Sequence, residues 1–133
     1  MRVTMRAGSL VVALVLLWSA SAAGAATGSH VLPWHSPRKV TSGVPIAVAS
    51  IRPCPPVPTA GDTTLVQVQL NFNGGSLATT IGSNPDGSWA ANITFTFRAI
   101  TGPTTLSAYC VDFNGHGGKP YADYRTRLVR VVP

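Results

Sequence analysis

Trp89-Ala90-Ala91-Asn92-Ile93-Thr94-Phe95-Thr96-Phe97-Arg98 alternates without a slip. Trp89, Ala91, Ile93, Phe95 and Phe97 fall on one side, and Ala90, Asn92, Thr94, Thr96 and Arg98 on the other. A period of two puts successive side chains on opposite faces of an extended chain, so the stretch predicts a strand with one face in a core. It is entered through Asn84-Pro85-Asp86-Gly87, where proline sets φ early in a turn and glycine takes the late position. Upstream, Thr64, Val66, Val68, Leu70 and Phe72 alternate with Leu65, Gln67, Gln69 and Asn71. Asn73-Gly74-Gly75 then tolerates a tight reversal, and Leu77 to Ile81 returns as a shorter strand.

Further out the same period recurs. Ile46, Val48 and Ser50 share a face, opposite Ala47, Ala49 and Ile51. Pro53-Cys54-Pro55-Pro56-Val57-Pro58 cannot pair inside a sheet, because proline donates no hydrogen bond, so it predicts a stiff corner. Leu106, Ala108 and Cys110 face one way and Ser107, Tyr109 and Val111 the other. After a glycine-rich loop over residues 112–120, a last strand from Tyr121 to Val132 groups Ala122, Tyr124, Thr126, Leu128 and Val132. Arg130 interrupts that face while Val129 and Val131 fill the other, which predicts a bulge or register change near the end. No stretch of residues 44–133 has helical spacing. About seven short alternating strands punctuated by Gly and Pro predict an all-β antiparallel sandwich or barrel.

The N-terminus has a different character. Arg2 and Arg6 precede the apolar run Leu10–Trp18, and small residues from Ser19 to Ala26 follow, in the order of a secretory signal peptide. Residues 1–26 are read as that signal, with small-x-small sites at Ala23-Gly24-Ala25 and Gly24-Ala25-Ala26. An uncleaved anchor is the alternative, disfavoured because the apolar core is short for a span. Residues 27–43 read as a flexible linker or edge segment, with Val31 and Trp34 available to dock and His30 and His35 facing solvent, and residues 44–133 as the sandwich.

In an exported chain two cysteines predict a single disulfide, Cys54–Cys110. Cys54 closes the first strong strand and Cys110 lies in the penultimate one, where an inter-sheet bridge belongs in immunoglobulin-like folds. That placement favours the sandwich over the barrel.

Charge narrows the partners. The formal net charge of +6 falls to +4 once Arg2 and Arg6 are removed, and the four acids are all Asp. The cations Arg38, Lys39, Arg52, Arg98, Lys119, Arg125, Arg127 and Arg130 are scattered, without the continuous basic stripe and interleaved aromatics of a nucleic-acid interface. Weak adhesion to an anionic cell-wall polymer needs only net charge. The expected partner is therefore an unidentified protein or a cell-wall polymer, with no nucleic acid and no membrane after cleavage.

Four pieces in order carry a family likeness: the strand ending in Cys54-Pro55-Pro56, the strand Leu65–Phe72, the turn and strand start Asn84-Pro85-Asp86-Gly87-Ser88-Trp89, and Leu106-Ser107-Ala108-Tyr109-Cys110. In these the chain resembles small immunoglobulin-like domains of secreted actinobacterial proteins. No Trp follows Cys54 at short spacing and Tyr109 directly precedes Cys110, so the resemblance implies a general Ig-like sandwich and not an antibody-type domain.

Candidate chemistry is sparse. Asp112-Phe113-Asn114-Gly115-His116-Gly117, with Asp123 beyond it, places oxygen donors and a glycine as a calcium loop does, but His at the fifth position and the lack of flanking helices favour an ordinary connection. His116 has no serine elbow to activate. Trp89, Phe95 and Phe97 could line a cleft, although their strict alternation fits core. Asn92-Ile93-Thr94 matches a glycosylation acceptor. No catalytic residue, metal ligand or cofactor site is assigned. The function expected is a secreted, non-catalytic binding or structural module. The alternative is a small-molecule carrier resembling the apoproteins of actinobacterial chromoprotein antibiotics.

Overall fold

Residues 31–133 are described in the computed structural model, so the signal reading and His30 lie outside the described residues. The described chain is all-β, with no helix among its elements. Its strands are β1 (Val31–Leu32), β2 (Trp34–His35), β3 (Lys39–Thr41), β4 (Ile46–Ser50), β5 (Thr63–Phe72), β6 (Gly75–Gly82), β7 (Ala90–Ile93), β8 (Thr105–Phe113), β9 (Gly118–Tyr124), β10 (Arg127–Leu128) and β11 (Arg130–Val132). The main sheet runs β1-β9-β8-β5-β6, with β10 also on β8; a second sheet runs β2-β4-β7, and β3 pairs with β11.

The central pairing is β5 against β8, from Thr63↔Phe113 to Asn71↔Thr105. Alternation along these strands buries Val66, Val68 and Leu70 from one and Leu106, Ala108 and Cys110 from the other. Side chains of the second sheet, Ile46, Val48 and Ile93, enter the same core with Trp34, Trp89, Phe95 and Tyr124. The 89–98 segment keeps its alternating burial to the end although β7 stops at Ile93. Beyond Ile93 its backbone partners lie in a turn: Gly43 N–H donates to the Phe95 carbonyl at 2.9 Å, and Phe97 N–H to Ser42 Oγ at 2.8 Å.

The stretch read as a flexible linker or edge segment forms short edge strands β1, β2 and β3 over residues 31–41, with Val40 fully buried, Trp34 2 % exposed and Val31 left at the surface. Two large apolar side chains anchor it, and two of its strands pair in parallel, β1 with β9 and β3 with β11. This docking also breaks the last strand. Arg125 N–H donates to the Leu32 carbonyl at 2.9 Å, and the Trp34 indole donates to the Arg125 carbonyl, so the chain leaves the ladder there. The phase shifts with it: Leu128, grouped on one face with Tyr124 in the sequence, is 77 % exposed, whereas Tyr124 and Val129 are buried. A bulge does occur in this region, but earlier, where Cys110↔Ala122 is followed by Val111↔Pro120 and leaves Tyr121 as the extra residue.

The Asn84–Ser88 turn packs closely beneath the proline corner. Gly87 has φ +89° and its carbonyl accepts from Cys54 N–H at 2.9 Å, so a Cβ there would overlap the Cys54 carbonyl. Gly87→Ala is expected to destabilise by about 1–3 kcal/mol, from both the left-handed backbone and the clash. Urea unfolding tests this; an unchanged midpoint would show that the corner yields freely.

Candidate functional site

The corner, the start of β5 and the turn before β7 enclose a cleft of about 580 Å³. Its walls are Cys54–Val57, Asp62–Thr64 and Ser83–Gly87. Proline stiffness builds one wall, since Pro55 and Pro56 admit few backbone conformations. Tyr121 fastens that wall to the main sheet: its hydroxyl donates to the Pro55 carbonyl at 2.6 Å and lies 3.0 Å from Thr64 Oγ1. Burial pushes the Tyr121 phenol above its ordinary value.

Beside the cleft two carboxyls meet. Thr64 pairs with Asp112 across β5 and β8, which makes Asp62 the diagonal neighbour of Asp112 on the same face. Asp112 Oδ2 accepts from Thr59 Oγ1 at 2.8 Å, whereas Asp112 Oδ1 is shielded from solvent and has no protein donor. Hydrogen bonding to Asp112 raises the Asp62 pKa above 3.8, with desolvation and the Asp112 charge adding to it. On the opposite wall Asp86 is held below 3.8, because the Ser88 hydroxyl and N–H donate to Asp86 Oδ1 at 2.6 and 2.9 Å.

A raised carboxyl contributes stability below its unfolded value near 3.8, and that contribution is lost as pH rises through the folded value. Asp62→Asn removes the repulsion at neutral pH and offers a permanent N–H donor to Asp112 Oδ1. The variant is expected to melt higher than wild type at pH 7, with the difference shrinking towards pH 4. An equal difference at both pH values would show that the two carboxyls do not interact.

The residues singled out in the sequence are dispersed. Asp112 sits in β8 opposite Lys119, and Asp123 in β9 opposite Tyr109, so they do not share a calcium-like loop. Asn114 Oδ1 is occupied by the N–H groups of His116 and Gly117, and His116 is an exposed turn residue. Among the described residues no three His, Cys, Asp or Glu side chains are grouped to hold a metal. Trp89 and Phe95 are core, 2 % and 4 % exposed, and Phe97 is half-buried. Asn92 is exposed on β7. Cys54 and Cys110 are bonded, with Cα atoms 5.9 Å apart, inside the 4.4–6.8 Å usual for a disulfide. The Asp62–Asp112 pair was missed; residues so far apart in sequence are joined only by the β5–β8 register.

Comparison with family models, curated proteins and solved structures returned no match for the chain.

Proposed function

We propose that this chain is an exported, non-catalytic β-sandwich of immunoglobulin-like architecture, of the kind found in secreted actinobacterial proteins, that binds or scaffolds outside the cell. One observation carries the reading. The Cys54–Cys110 bond ties the chain just past β4, in the three-stranded sheet, to β8 in the main sheet, through a core already filled by side chains. An inter-sheet bridge at that place is the immunoglobulin-like arrangement, and a filled core leaves recognition to the surface. With a net positive charge, the surface suits an acidic protein or an anionic cell-wall polymer.

The carrier reading keeps one point in its favour. A cleft of about 580 Å³ lies within the roughly 300–1,000 Å³ range of small-ligand sites. Pro55, Pro56, Asp62 and Asp86 stand on its walls, a stiff and mostly apolar lining with a few polar groups.

Mass spectrometry of the protein from culture supernatant separates the readings. The expected result is a chain starting at Ala26 or Thr27 with its disulfide formed, and no bound small molecule, which captures a surface component when immobilised. A stoichiometric small ligand in the native spectrum would support the carrier instead. Full-length chain recovered only in membranes would overturn export.

A further inference from the structure

The unpaired edge of β6 carries an inference independent of that functional reading. Sheet edges expose free N–H and C=O groups, and proteins usually blunt them with short strands, charges, proline or bulges. The other edge strands here follow the rule: β1 and β2 have two residues each, β3 and β11 three, and β7 four. β6 does not. Its eight residues, Gly75-Ser76-Leu77-Ala78-Thr79-Thr80-Ile81-Gly82, pair with β5 in unbroken register and have no partner on the outer side among the described residues. No ionisable side chain and no bulge protects it; the sequence from Thr63 to Pro85 contains no charge at all.

The hairpin geometry sets which groups are free. Asn73-Gly74 is a two-residue loop closing on Phe72↔Gly75, and such a loop closes on a hydrogen-bonded pair. Antiparallel pairs alternate from there, so Leu77, Thr79 and Ile81 spend their backbone groups on β5. Ser76, Ala78, Thr80 and Gly82 present theirs outward. Ser76, Ala78 and Thr80 carry small, exposed side chains and Gly82 none, which leaves the edge open to a second strand.

We propose that the occupant is a second copy of this chain, added antiparallel through β6 about a two-fold axis centred on Thr79. That axis places Ala78 opposite Thr80 and Ser76 opposite Gly82 of the second copy, so that every free edge group meets another free edge group. Between these pairs, in the close non-hydrogen-bonded positions, Leu77 faces Ile81 and Thr79 faces itself. Leu77 and Ile81 are half-buried and pack against the core of their own chain; each would cover the other across the axis. The register preserves the sheet's two faces, so the core side of one copy continues into the core side of the next. Charge favours this partner: on a chain of net charge +6, the contact lies in an uncharged hairpin where two like copies meet without repulsion. Closed two-fold association also uses up the edge.

Sedimentation velocity of the purified protein tests the proposal. A strand-edge contact is small, so reversible dimerisation is expected with a dissociation constant between about 1 µM and 1 mM. Ala78→Pro removes an N–H that points away from β5 and leaves the β5–β6 ladder complete. By symmetry the dimer loses two hydrogen bonds, and dissociation should become about five- to a hundredfold easier, with an unchanged melting temperature. Thr79→Cys reads the register directly. Under oxidation it should give a reducible covalent dimer, because the facing residues of a close pair lie within disulfide reach, while Ala78→Cys should not. A wild-type protein that stays monomeric to about 1 mM, or a Thr79→Cys variant that fails to cross-link, overturns the proposal.

Discussion

Reducing the Cys54–Cys110 bond is expected to lower the unfolding free energy by about 4 kcal/mol and the melting temperature by roughly 15–30 °C. The bond closes a loop with a sequence separation of 56, and cross-linking removes that loop's freedom from the unfolded chain. In a domain whose total stability is about 5–15 kcal/mol this is a large share. Placement adds a kinetic consequence. Cys54 is 3 % exposed and Cys110 fully buried, so a reductant should react slowly with the folded protein and fast once denaturant opens it. Unfolding in guanidinium with and without reductant measures the effect, and the reduced chain should also show a larger slope, since its unfolded state is less compact. A stability difference below about 1 kcal/mol would mean that the core alone holds the sheets together.

The proline corner makes the bond informative about architecture. Cys54 stands between Pro53 and Pro55, and it is held by backbone hydrogen bonding to Gly87 as well as by its sulfur. Corner, turn and β8 are thus joined at one point, and Cys54 and Gly87 of that junction line the cleft. Loosening the bond should change the cleft before it changes the β5–β8 pairing.

What the sequence disclosed follows from how local each signal is. The alternation of residues 89–97 and of Val66, Val68 and Leu70 depends on one strand and one core face, and burial followed it residue by residue. The Asn84–Gly87 turn was legible because proline and glycine restrict φ by themselves. Residues 31–41 were legible only as a linker or edge segment able to dock through Trp34, because their strands are two or three residues long and gain stability from Trp34 and Val40 docking on distant parts of the chain. The separation of Leu128 from the face of Tyr124 has the same source. Periodicity carried the phase of β9 forward through Arg125, and the break there is imposed by Leu32 and Trp34. The Asp62–Asp112 pair and the self-complementary edge of β6 both depend on register, which no single stretch encodes.

Trp89→Ala should be the most damaging single substitution in the aromatic core, at about 3–5 kcal/mol. The indole is 2 % exposed and meets Tyr124 edge-on at 5.2 Å and Trp34 at 6.0 Å between ring centroids. It also begins a polar relay inside the core: Trp89 Nε1 donates to Tyr124 Oη at 3.1 Å, and Tyr124 Oη donates to the Arg52 carbonyl at 2.7 Å. Burial pushes the Tyr124 phenol above its ordinary value, which keeps that proton in place as a donor. Volume and hydrogen bonding can be separated. Trp89→Phe keeps a ring but removes the donor, and Tyr124→Phe leaves both the Trp89 N–H and the Arg52 carbonyl unpaired at a cost of about 1–3 kcal/mol each. Because the two side chains share one bond, the double variant should cost less than the sum of the singles by about 0.5–3 kcal/mol. Strict additivity would show that the relay contributes nothing beyond packing. The relay links β9, through Tyr124, to Arg52 at the entrance of the proline corner, so its loss should loosen the same junction that the disulfide secures. Trp89→Ala should therefore speed reduction of Cys54–Cys110 in the folded protein, and an unchanged reduction rate would show the aromatic cluster and the bond to be independent anchors.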